Sequence, residues 1–265
     1  MRIVALLTLR NEALYLQHCL EHLVAQGVEV LVVDNGSTDE SAAIARGFLG
    51  RGVIGLEHYP YPGYYDWHGI LNHKMKLAAG IKADWLMHCD ADEIRQAPSP
   101  FATLKEGVEE ADRQGFNAIN FDEFVFLPTS IEERHEGTDY PRRMRRYYYF
   151  APGPLRRVNL WKKTGQAVDI VSSGGHSADF DDRRVFPEPF VLRHYIALSH
   201  QHAVDKYTRH RVYSKEEVER LGWHRARANL QEQAIVLPRP EQMCELVGDR
   251  FDRSNPVRKH LLFKR

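Results

Sequence analysis

Short apolar runs alternate with longer amphipathic segments over the first ninety residues. The apolar runs are short enough for strands buried on both faces of a parallel sheet, and they cover residues 3–8, 30–34, 53–58 and 85–90. Segments with helical periodicity lie between them, over residues 12–26, 40–48 and 69–81. This alternation predicts an α/β fold built from βαβ units. Because such crossovers are right-handed, we expect all four carboxyl ends at one edge of the sheet.

The pattern changes after residue 92. A helix is predicted over residues 101–114 and a strand over residues 117–126. Residues 128–154 combine scattered prolines, arginine pairs and three consecutive tyrosines, which favours a long functional loop over a core element. Short β-like pieces return over residues 160–195. We therefore predict a main domain over residues 1–198 and a helical C-terminal extension over residues 199–265.

The composition is that of a protein that folds by itself. The chain is 43% hydrophobic and 27% charged, which is typical of a soluble globular protein. Its length of 265 residues suits one medium domain or a domain with an appendage. Lysine and arginine together number 36, as do aspartate and glutamate. The formal net charge is therefore zero, and the chain has no overall attraction for nucleic acid. We predict no nucleic-acid partner.

Cysteine usage and the N-terminal sequence bear on the compartment. Cys19, Cys89 and Cys244 stand at wide spacings, which suits neither a disulfide framework nor a zinc cluster. The apolar N-terminal run is broken at Thr8, far short of a signal peptide or a membrane span. We expect a cytoplasmic protein. Its basic and apolar tail, residues 258–265, predicts at most peripheral contact with the inner face of a membrane.

The strongest candidate for chemistry follows the fourth predicted strand. Asp90 and Asp92 stand at positions i and i+2 at its end. Side chains two apart in a strand lie on the same side, so both carboxylates can face one cation. Carboxylates combined with water and phosphate oxygens favour Mg²⁺ or Mn²⁺ over zinc. The alternative is that the two aspartates cap the next helix or lie in a solvated turn.

A third carboxylate is predicted at the same edge. Asp34 ends the second predicted strand and precedes the turn signal Asn35-Gly36. Open α/β sheets bind ligands beyond the carboxyl ends of their strands, where the strand order reverses. We therefore expect Asp34, Asp90 and Asp92 to converge on one ligand site.

In order along the chain, these segments resemble the family 2 glycosyltransferases, which have the GT-A fold. The resemblance rests on Thr-Leu-Arg-Asn-Glu at residues 8–12, on residues 32–39 and on residues 72–93, with weaker similarity at residues 192–195 and 199–206. It implies a GT-A-like mixed, mainly parallel sheet flanked by helices. It also implies that residues 1–95 form a Rossmann-like half that binds a nucleotide sugar and that residues 96–198 form an acceptor half.

The resemblance implies roles for individual residues. Thr8 and Asp34 match positions that hold the nucleotide base and ribose, with Glu12 nearby. Asp90 and Asp92 match the Asp-x-Asp pair that contacts the ribose and, through Mn²⁺ or Mg²⁺, the diphosphate.

Later residues are candidates for a third metal ligand and for the catalytic base. His194 falls where many GT-A enzymes place a metal-binding histidine. The candidates for the catalytic base are Asp179 and His176, in a turn-rich segment, and Asp122 with its neighbour Glu123, on a predicted strand. The other interpretations are a hydrogen-bonded loop histidine for His176 and a solvated strand end for Asp122 and Glu123.

The basic and aromatic segment, residues 142–149 with Arg156 and Arg157, admits three interpretations. It suits a lid that supplies arginines to a diphosphate or to an anionic acceptor. Stacking tyrosines also suit nucleic-acid binding, which the zero net charge disfavours. The third interpretation is a solvated surface with tyrosines packed on it.

These features predict a metal-dependent glycosyltransferase. We expect it to move a hexosyl group from a nucleoside diphosphate sugar, with UDP as the nucleotide, to a glycan or lipid-linked acceptor in polysaccharide biosynthesis, with inversion. One alternative is a sugar nucleotidyltransferase, although the residues after the first strand lack the glycine-rich basic loop of such enzymes. The other is a non-catalytic nucleotide- or carbohydrate-binding module.

Overall fold

The computed structural model describes residues 1–264. The chain forms two compact units, each built from alternating stretches of sequence. The first unit comprises Met1–Tyr61, Trp67–Asp122 and Leu155–Leu192, and the second comprises Pro62–Asp66, Glu123–Pro154 and the chain from Arg193 onward. The predicted domain boundaries at residues 95 and 198 stay a prediction.

Strands and helices alternate through the first half of the chain. The strands are β1 (Ile3–Leu9), β2 (Val28–Asp34), β3 (Val53–His58), β4 (Trp85–Asp90), β5 (Glu93–Gln96), β6 (Ala118–Phe126), β7 (Arg146–Phe150), β8 (Val158–Lys162), β9 (Phe190–His194) and β10 (Cys244–Glu245). The α-helices are α1 (Ala13–Ala25), α2 (Ser41–Gly47), α3 (Trp67–Gly80), α4 (Leu104–Arg113), α5 (Tyr140–Arg143) and α6 (His200–Val204). Among residues 1–264, no helix combines the length and the apolar composition needed to cross a bilayer.

The first four strands form a parallel sheet in the order β3-β2-β1-β4. Every residue of β1 is buried, and β2 and β4 are buried except at one position each. Burial on both faces explains why these strands are continuous apolar runs in the sequence. β1–β4 and α1–α3 lie within two residues of their predicted bounds, which confirms the predicted βαβ units.

The strand order reverses at β1. Along the chain the sheet grows from β1 through β2 to β3, and it then returns to the other side of β1 with β4. The antiparallel strands β8 and β6 follow next to β4. This mixed, mainly parallel sheet with flanking helices confirms the predicted fold class. The reversal lies between β1 and β4, and α/β sheets bind ligands at such a point, beyond the carboxyl ends of the strands.

In the second unit, the predicted loop over residues 128–154 is wrong in part, because it contains α5 and β7. β7 pairs with the end of β6 and with β10. Tyr147 is buried with its ring edge-on to Phe124, and buried Tyr148 shares a hydrogen bond of 2.8 Å between its Oη and His260 Nδ1. Neighbouring residues of a strand face opposite sides of the sheet, so Tyr147 and Tyr148 pack against different residues. These tyrosines are core residues, not part of a loop.

The C-terminal extension is helical only at its start. After α6, π-helical turns cover Asp205–His210 and Glu216–Arg220. The prediction of a helical extension is wrong beyond residue 221, where the described chain is mostly irregular apart from β10 and single 3₁₀ turns at Glu232–Ala234 and Pro240–Gln242. Three prolines in this stretch remove backbone donors that a helix requires; they are Pro238, Pro240 and Pro256.

The three cysteines are free thiols in different surroundings. Cys19 on α1 and Cys89 on β4 are buried inside the first unit. Burial raises the pKa of Cys89 to about 12. Cys244 on β10 is only partly buried, in the second unit.

Candidate active site

The sheet brings two predicted aspartates to one edge. Leu9 at the end of β1 pairs with Asp34 on β2, and Thr8 pairs with Asp90 on β4. Asp34 and Asp90 therefore flank β1, about 10 Å apart by the spacing of neighbouring strands. Asp92 follows in the turn between β4 and β5, where it is buried. The backbone thus brings Asp34 and Asp90 to one edge of the sheet, and the convergence of all three carboxylates on one ligand stays a prediction.

Thr8 lies between the two strand-end aspartates and has an unsatisfied hydroxyl. Its side chain is 7% exposed, and Oγ1 has no hydrogen-bond partner. A buried hydroxyl without a partner costs free energy, so this group is suited to hydrogen-bond a ligand. Glu12 stands at the start of α1, where its backbone N–H donates to Ser41 Oγ at 2.8 Å.

The loops after β1, β2 and β3 are tied together beside Asp34. Arg10 Nη1 donates to the carbonyl oxygens of Asn35, at 2.8 Å, and Gly36. The Arg10 guanidinium carbon lies 3.3 Å from the centre of the Tyr61 ring. Gly36 has a φ of 63°, and a Cβ there would lie 3.3 Å from Tyr61 Cβ, so the close approach of the loops requires glycine.

Tyr61→Leu is expected to loosen this corner of the site. Loss of the stacked guanidinium should cost about 0.5–1 kcal/mol of unfolding free energy and weaken binding of the expected nucleotide about threefold. Thermal unfolding and a nucleotide titration measure the two effects, with Tyr64→Leu, an exposed tyrosine in the second unit, as the control. Unchanged nucleotide affinity in Tyr61→Leu would limit the role of the Arg10–Tyr61 contact to stability.

A buried ion pair fixes the Asp90–Asp92 turn. The Asp90 backbone N–H donates to Glu93 Oε2 at 3.1 Å, and Arg95 Nη2 donates to the same oxygen at 2.5 Å. Arg95 is fully buried, and its Nη1 donates to Asn159 Oδ1 on β8 at 2.6 Å. Removing one partner of a buried pair leaves an uncompensated charge, so this network is costly to break. It holds the backbone at Asp90 in place.

Negative charge is concentrated at this turn. Burial raises the pKa of Asp90 to about 6, and the neighbouring carboxylates of Glu93 and Asp92 add to the rise. Lys74 and Arg157 act in the opposite direction on the same group. An opposite charge favours the ionised form of a buried carboxyl. The turn is therefore a place where positive charge is stabilising.

Asp90 and Asp92 fit a divalent cation that shares its coordination with a ligand. Within residues 1–264, no three His, Cys, Asp or Glu side chains are grouped to hold a metal ion by themselves. Mg²⁺ sites in enzymes commonly use one or two carboxylates and take their other ligands from water and substrate phosphates. Two adjoining carboxylates with hard oxygen donors match that ligand set.

His176 is held in one tautomer. The residue before it, Gly175, packs so closely on His88 that a Cβ there would lie 2.8 Å from His88 Nε2. His176 Nδ1 lies 2.8 Å from Arg157 Nη1. Because a guanidinium only donates, Nδ1 accepts and the proton of the neutral ring is on Nε2. In this arrangement His176 serves as a hydrogen-bond donor.

The other candidate bases have contrasting environments. The Asp179 side chain is 79% exposed, and its Oδ1 lies 3.6 Å from Arg183 Nη1. Asp122 lies half-buried on β6 and belongs to the first unit, whose second stretch of sequence ends at this residue. In the second unit, Glu123 has a side chain that is 1% exposed, and its Oε1 accepts a hydrogen bond of 2.6 Å from His194 Nδ1.

Sequence reasoning missed three residues near the Asp90–Asp92 turn. Lys74 had a signal, because it stands seven residues after Trp67 on the buried stripe of α3, where a charged residue is exceptional. Arg95 and Asn159 had none, because their hydrogen bond joins strands that are far apart in the sequence.

Known proteins that this chain resembles are distant from it. The lipopolysaccharide core biosynthesis glycosyltransferase LpsC of Rhizobium meliloti (strain 1021) is 32% identical over 84 residues, which are 31% of this chain and 28% of that protein. The crystal structure of S. aureus TarS 1-349 has a TM-score of 0.45 and 13% identity, covering 74% of this chain and 60% of that one. The mannosyltransferase PcManGT from Pyrobaculum calidifontis, in complex with GDP-Man and Mn²⁺, has a TM-score of 0.36 and 20% identity, covering 46% and 35%.

A family-level match is more extensive. The sequence profile described as Glycosyl transferase family 2 matches residues 5–149 of this chain, which is more than half of its length. The matched stretch contains Asp34, Asp90 and Asp92, together with strands β2–β4. The resemblance that the sequence predicts is confirmed, and this chain belongs to glycosyl transferase family 2, whose members are glycosyltransferase enzymes.

Proposed function

We propose that this chain transfers a hexosyl group from a nucleoside diphosphate sugar, with UDP as the nucleotide, to a hydroxyl of a glycan or lipid-linked acceptor, inverting the sugar carbon. One observation carries the proposal. The register of the strands pairs Asp90 on β4 with Thr8 on β1, and Asp34 on β2 with the next residue of β1, Leu9, at the edge where the strand order reverses. Family membership supports the reaction class.

In this proposal the nucleoside binds beside β1 and β2. The unsatisfied Thr8 Oγ1 hydrogen-bonds the nucleoside, with Glu12 near it on α1. Asp34 Oδ1 accepts the backbone N–H of Ser37 at 3.0 Å, so Oδ2 is the oxygen that accepts ribose hydroxyls. Arg157 supplies N–H donors, which suit the diphosphate oxygens.

Asp90 and Asp92 hold Mn²⁺ or Mg²⁺ in this proposal. When bound, a divalent cation supplies charge stabilisation to the departing diphosphate, worth several kcal/mol. The chain's part is to present two ionised carboxylates on a fixed backbone. The Glu93–Arg95 pair supports that role, because it accepts and orients the Asp90 backbone N–H.

We infer that the Glu123–His194 pair takes the proton of the acceptor hydroxyl. That hydroxyl must be deprotonated as the sugar carbon gains oxocarbenium character. The Nδ1–H donated to Glu123 fixes the tautomer, so Nε2 is the basic nitrogen, and the carboxylate stabilises the imidazolium that forms. If His194 were a metal ligand instead, it would offer the same Nε2 atom to the cation, and Asp179 and Asp122 would be the alternative bases.

We further propose that the acceptor is a lipid-linked saccharide of a surface glycan. The name of the relative LpsC, a lipopolysaccharide core biosynthesis glycosyltransferase, supports this acceptor class. An acceptor of this kind lies at a membrane surface. We therefore propose peripheral contact at the cytoplasmic face through the exposed basic residues Arg258, Lys259 and Lys264. The apolar residues of the same segment, Leu261, Leu262 and Phe263, pack in the core of the second unit.

A thermal-shift series followed by a transfer assay tests the proposed function. A ligand that binds only the native form stabilises it, by about 2.7 kcal/mol at a hundred times its Kd. We expect UDP with Mn²⁺ to raise Tm more than either alone, and UDP to be released from a UDP-sugar when acceptor is added. Pyrophosphate release from a nucleoside triphosphate would instead indicate a nucleotidyltransferase, and binding without transfer or hydrolysis would indicate a binding module.

A further inference from the structure

Lys74 is a charged residue on the buried stripe of α3. The other buried residues of that helix are apolar or aromatic; they are Trp67, Ile70, Leu71 and Ala78. Lys74 is 0% exposed, and its Nζ has no hydrogen-bond partner. Buried lysines usually extend their stems so that the ammonium reaches water. A fully buried ammonium without a hydrogen bond costs free energy, and only a nearby opposite charge can offset that cost.

The direction of α3 aims the Lys74 side chain toward the candidate active site. α3 precedes the parallel strand β4, and Trp67 at its first turn packs edge-on against His88 near the carboxyl end of that strand. Helical side chains lean toward the helix N-terminus. The Lys74 stem therefore runs toward the carboxyl end of β4, where Asp90 stands.

The charges around Lys74 leave Asp90 as its main counter-charge. Among the groups ionised at neutral pH, Asp90 attracts the ammonium most strongly, followed by Glu93, while Arg95 repels it. Glu93 is already paired with Arg95 at 2.5 Å. Burial lowers the pKa of Lys74 to about 8.

We propose that Lys74 is a fixed positive charge behind the Asp90–Asp92 turn that weakens divalent-cation binding to the empty site and so makes it depend on the diphosphate of the donor. Lys74 is a positioning residue, since it acts through Asp90. The inference rests on the proposed function, in which Asp90 and Asp92 hold the cation. The ammonium competes with a cation for the Asp90 carboxylate, and the negative diphosphate removes that penalty by adding ligands and charge. Cation and donor then bind together.

Calorimetric titration with Mn²⁺, without and with UDP, tests the inference. We expect Lys74→Met to bind Mn²⁺ about fivefold or more tightly than the wild type when UDP is absent, as loss of one nearby positive charge requires. The gain in Mn²⁺ affinity that UDP produces should shrink in the same variant. Lys74→Arg keeps the charge and should bind Mn²⁺ as the wild type does. Lys76→Met changes an exposed lysine of the same helix and is the control.

Unchanged or weaker Mn²⁺ affinity in folded Lys74→Met overturns the inference. The apolar variant is expected to fold, because an unbranched side chain of similar volume replaces an ammonium without a hydrogen bond. If it does not fold, Lys74→Gln, which is also neutral, takes its place in the titration, with the same expected tightening and the same overturning result.

A metal-free measurement separates this inference from the proposed function. The measurement is a double-mutant cycle of thermal unfolding with Asp90→Asn and Lys74→Met. Asp90→Asn should destabilise the wild type more than it destabilises Lys74→Met, because in the wild-type background it leaves the buried Lys74 ammonium without its counter-charge. If the wild type bound no Mn²⁺ even with UDP present, the metal would have to be removed from the proposed function. The double-mutant cycle would still test the pairing of Lys74 with Asp90. Additive effects in the cycle would overturn that pairing.

Discussion

Asp92→Asn is expected to lower the rate of sugar transfer about a thousandfold. Asparagine keeps the shape of the side chain and removes the charge that holds a divalent cation, so the several kcal/mol supplied to the leaving diphosphate are lost. Asp92 gives a cleaner test than Asp90, because Asp90→Asn also removes the main counter-charge of the buried Lys74. Steady-state kcat and Mn²⁺ affinity are the two quantities to measure.

The control for Asp92→Asn is an aspartate of the same unit outside the turn. Asp181 is exposed, so Asp181→Asn should retain wild-type kcat and Mn²⁺ dependence. Equal unfolding midpoints for the two variants would show that the fold is intact. Wild-type kcat and Mn²⁺ dependence in Asp92→Asn would contradict the proposed cation site.

His194→Gln should reduce kcat by about a hundredfold to ten-thousandfold, the usual contribution of a positioned general base. If Nε2 is the base, Mn²⁺ affinity and the donor KM stay at wild-type values. Glu123→Gln should cause a smaller loss of kcat, because a neutral amide orients the imidazole without stabilising its protonated form. The kcat of both variants, measured from pH 5 to 9, checks the assignment.

His210→Gln is the matched control, since His210 is exposed in the same unit. A fall in Mn²⁺ affinity with rescue of kcat by excess Mn²⁺ would make His194 a metal ligand and would leave Asp179 or Asp122 as the base. Full activity in His194→Gln would exclude both roles.

The sequence predicts β1–β4 because burial on both faces makes each strand a compact apolar run between helices. β7 does not follow that rule. It consists of one arginine and four aromatic residues, of which the two consecutive tyrosines Tyr147 and Tyr148 are buried and the others half-buried. Neither an apolar run nor a clean alternation therefore marks it as a strand. Its pairing with β6 depends on Phe124 and Tyr149, which are distant in sequence, and local patterns carry no information about such a partner.

The residues of the candidate site likewise fall into those that the sequence predicts and those that it does not. Asp34 and Asp90 are predictable because each is the last residue of a strand in the same parallel sheet. Parallel strands place their carboxyl ends, where ligands bind, at one edge, and local sequence is enough to recognise such strands. The environment of the turn is not predictable, because Arg95 reaches Asn159 on another strand. The contact between Glu123 and His194 likewise joins β6 to β9 across a long stretch of chain. Local patterns therefore locate the carboxylates but not the groups that tune them.

The distribution of the three thiols makes the unmodified protein suitable for site-specific labelling. Maleimides react with the thiolate, which is scarce at Cys89 because burial raises its pKa to about 12, and Cys19 is enclosed in the same unit. Cys244 on β10 is the accessible position, and burial raises its pKa as well, which favours mildly alkaline labelling. A single fluorophore can thus be attached to the second unit, and its emission can report optically on the unfolding of that unit without any engineered cysteine.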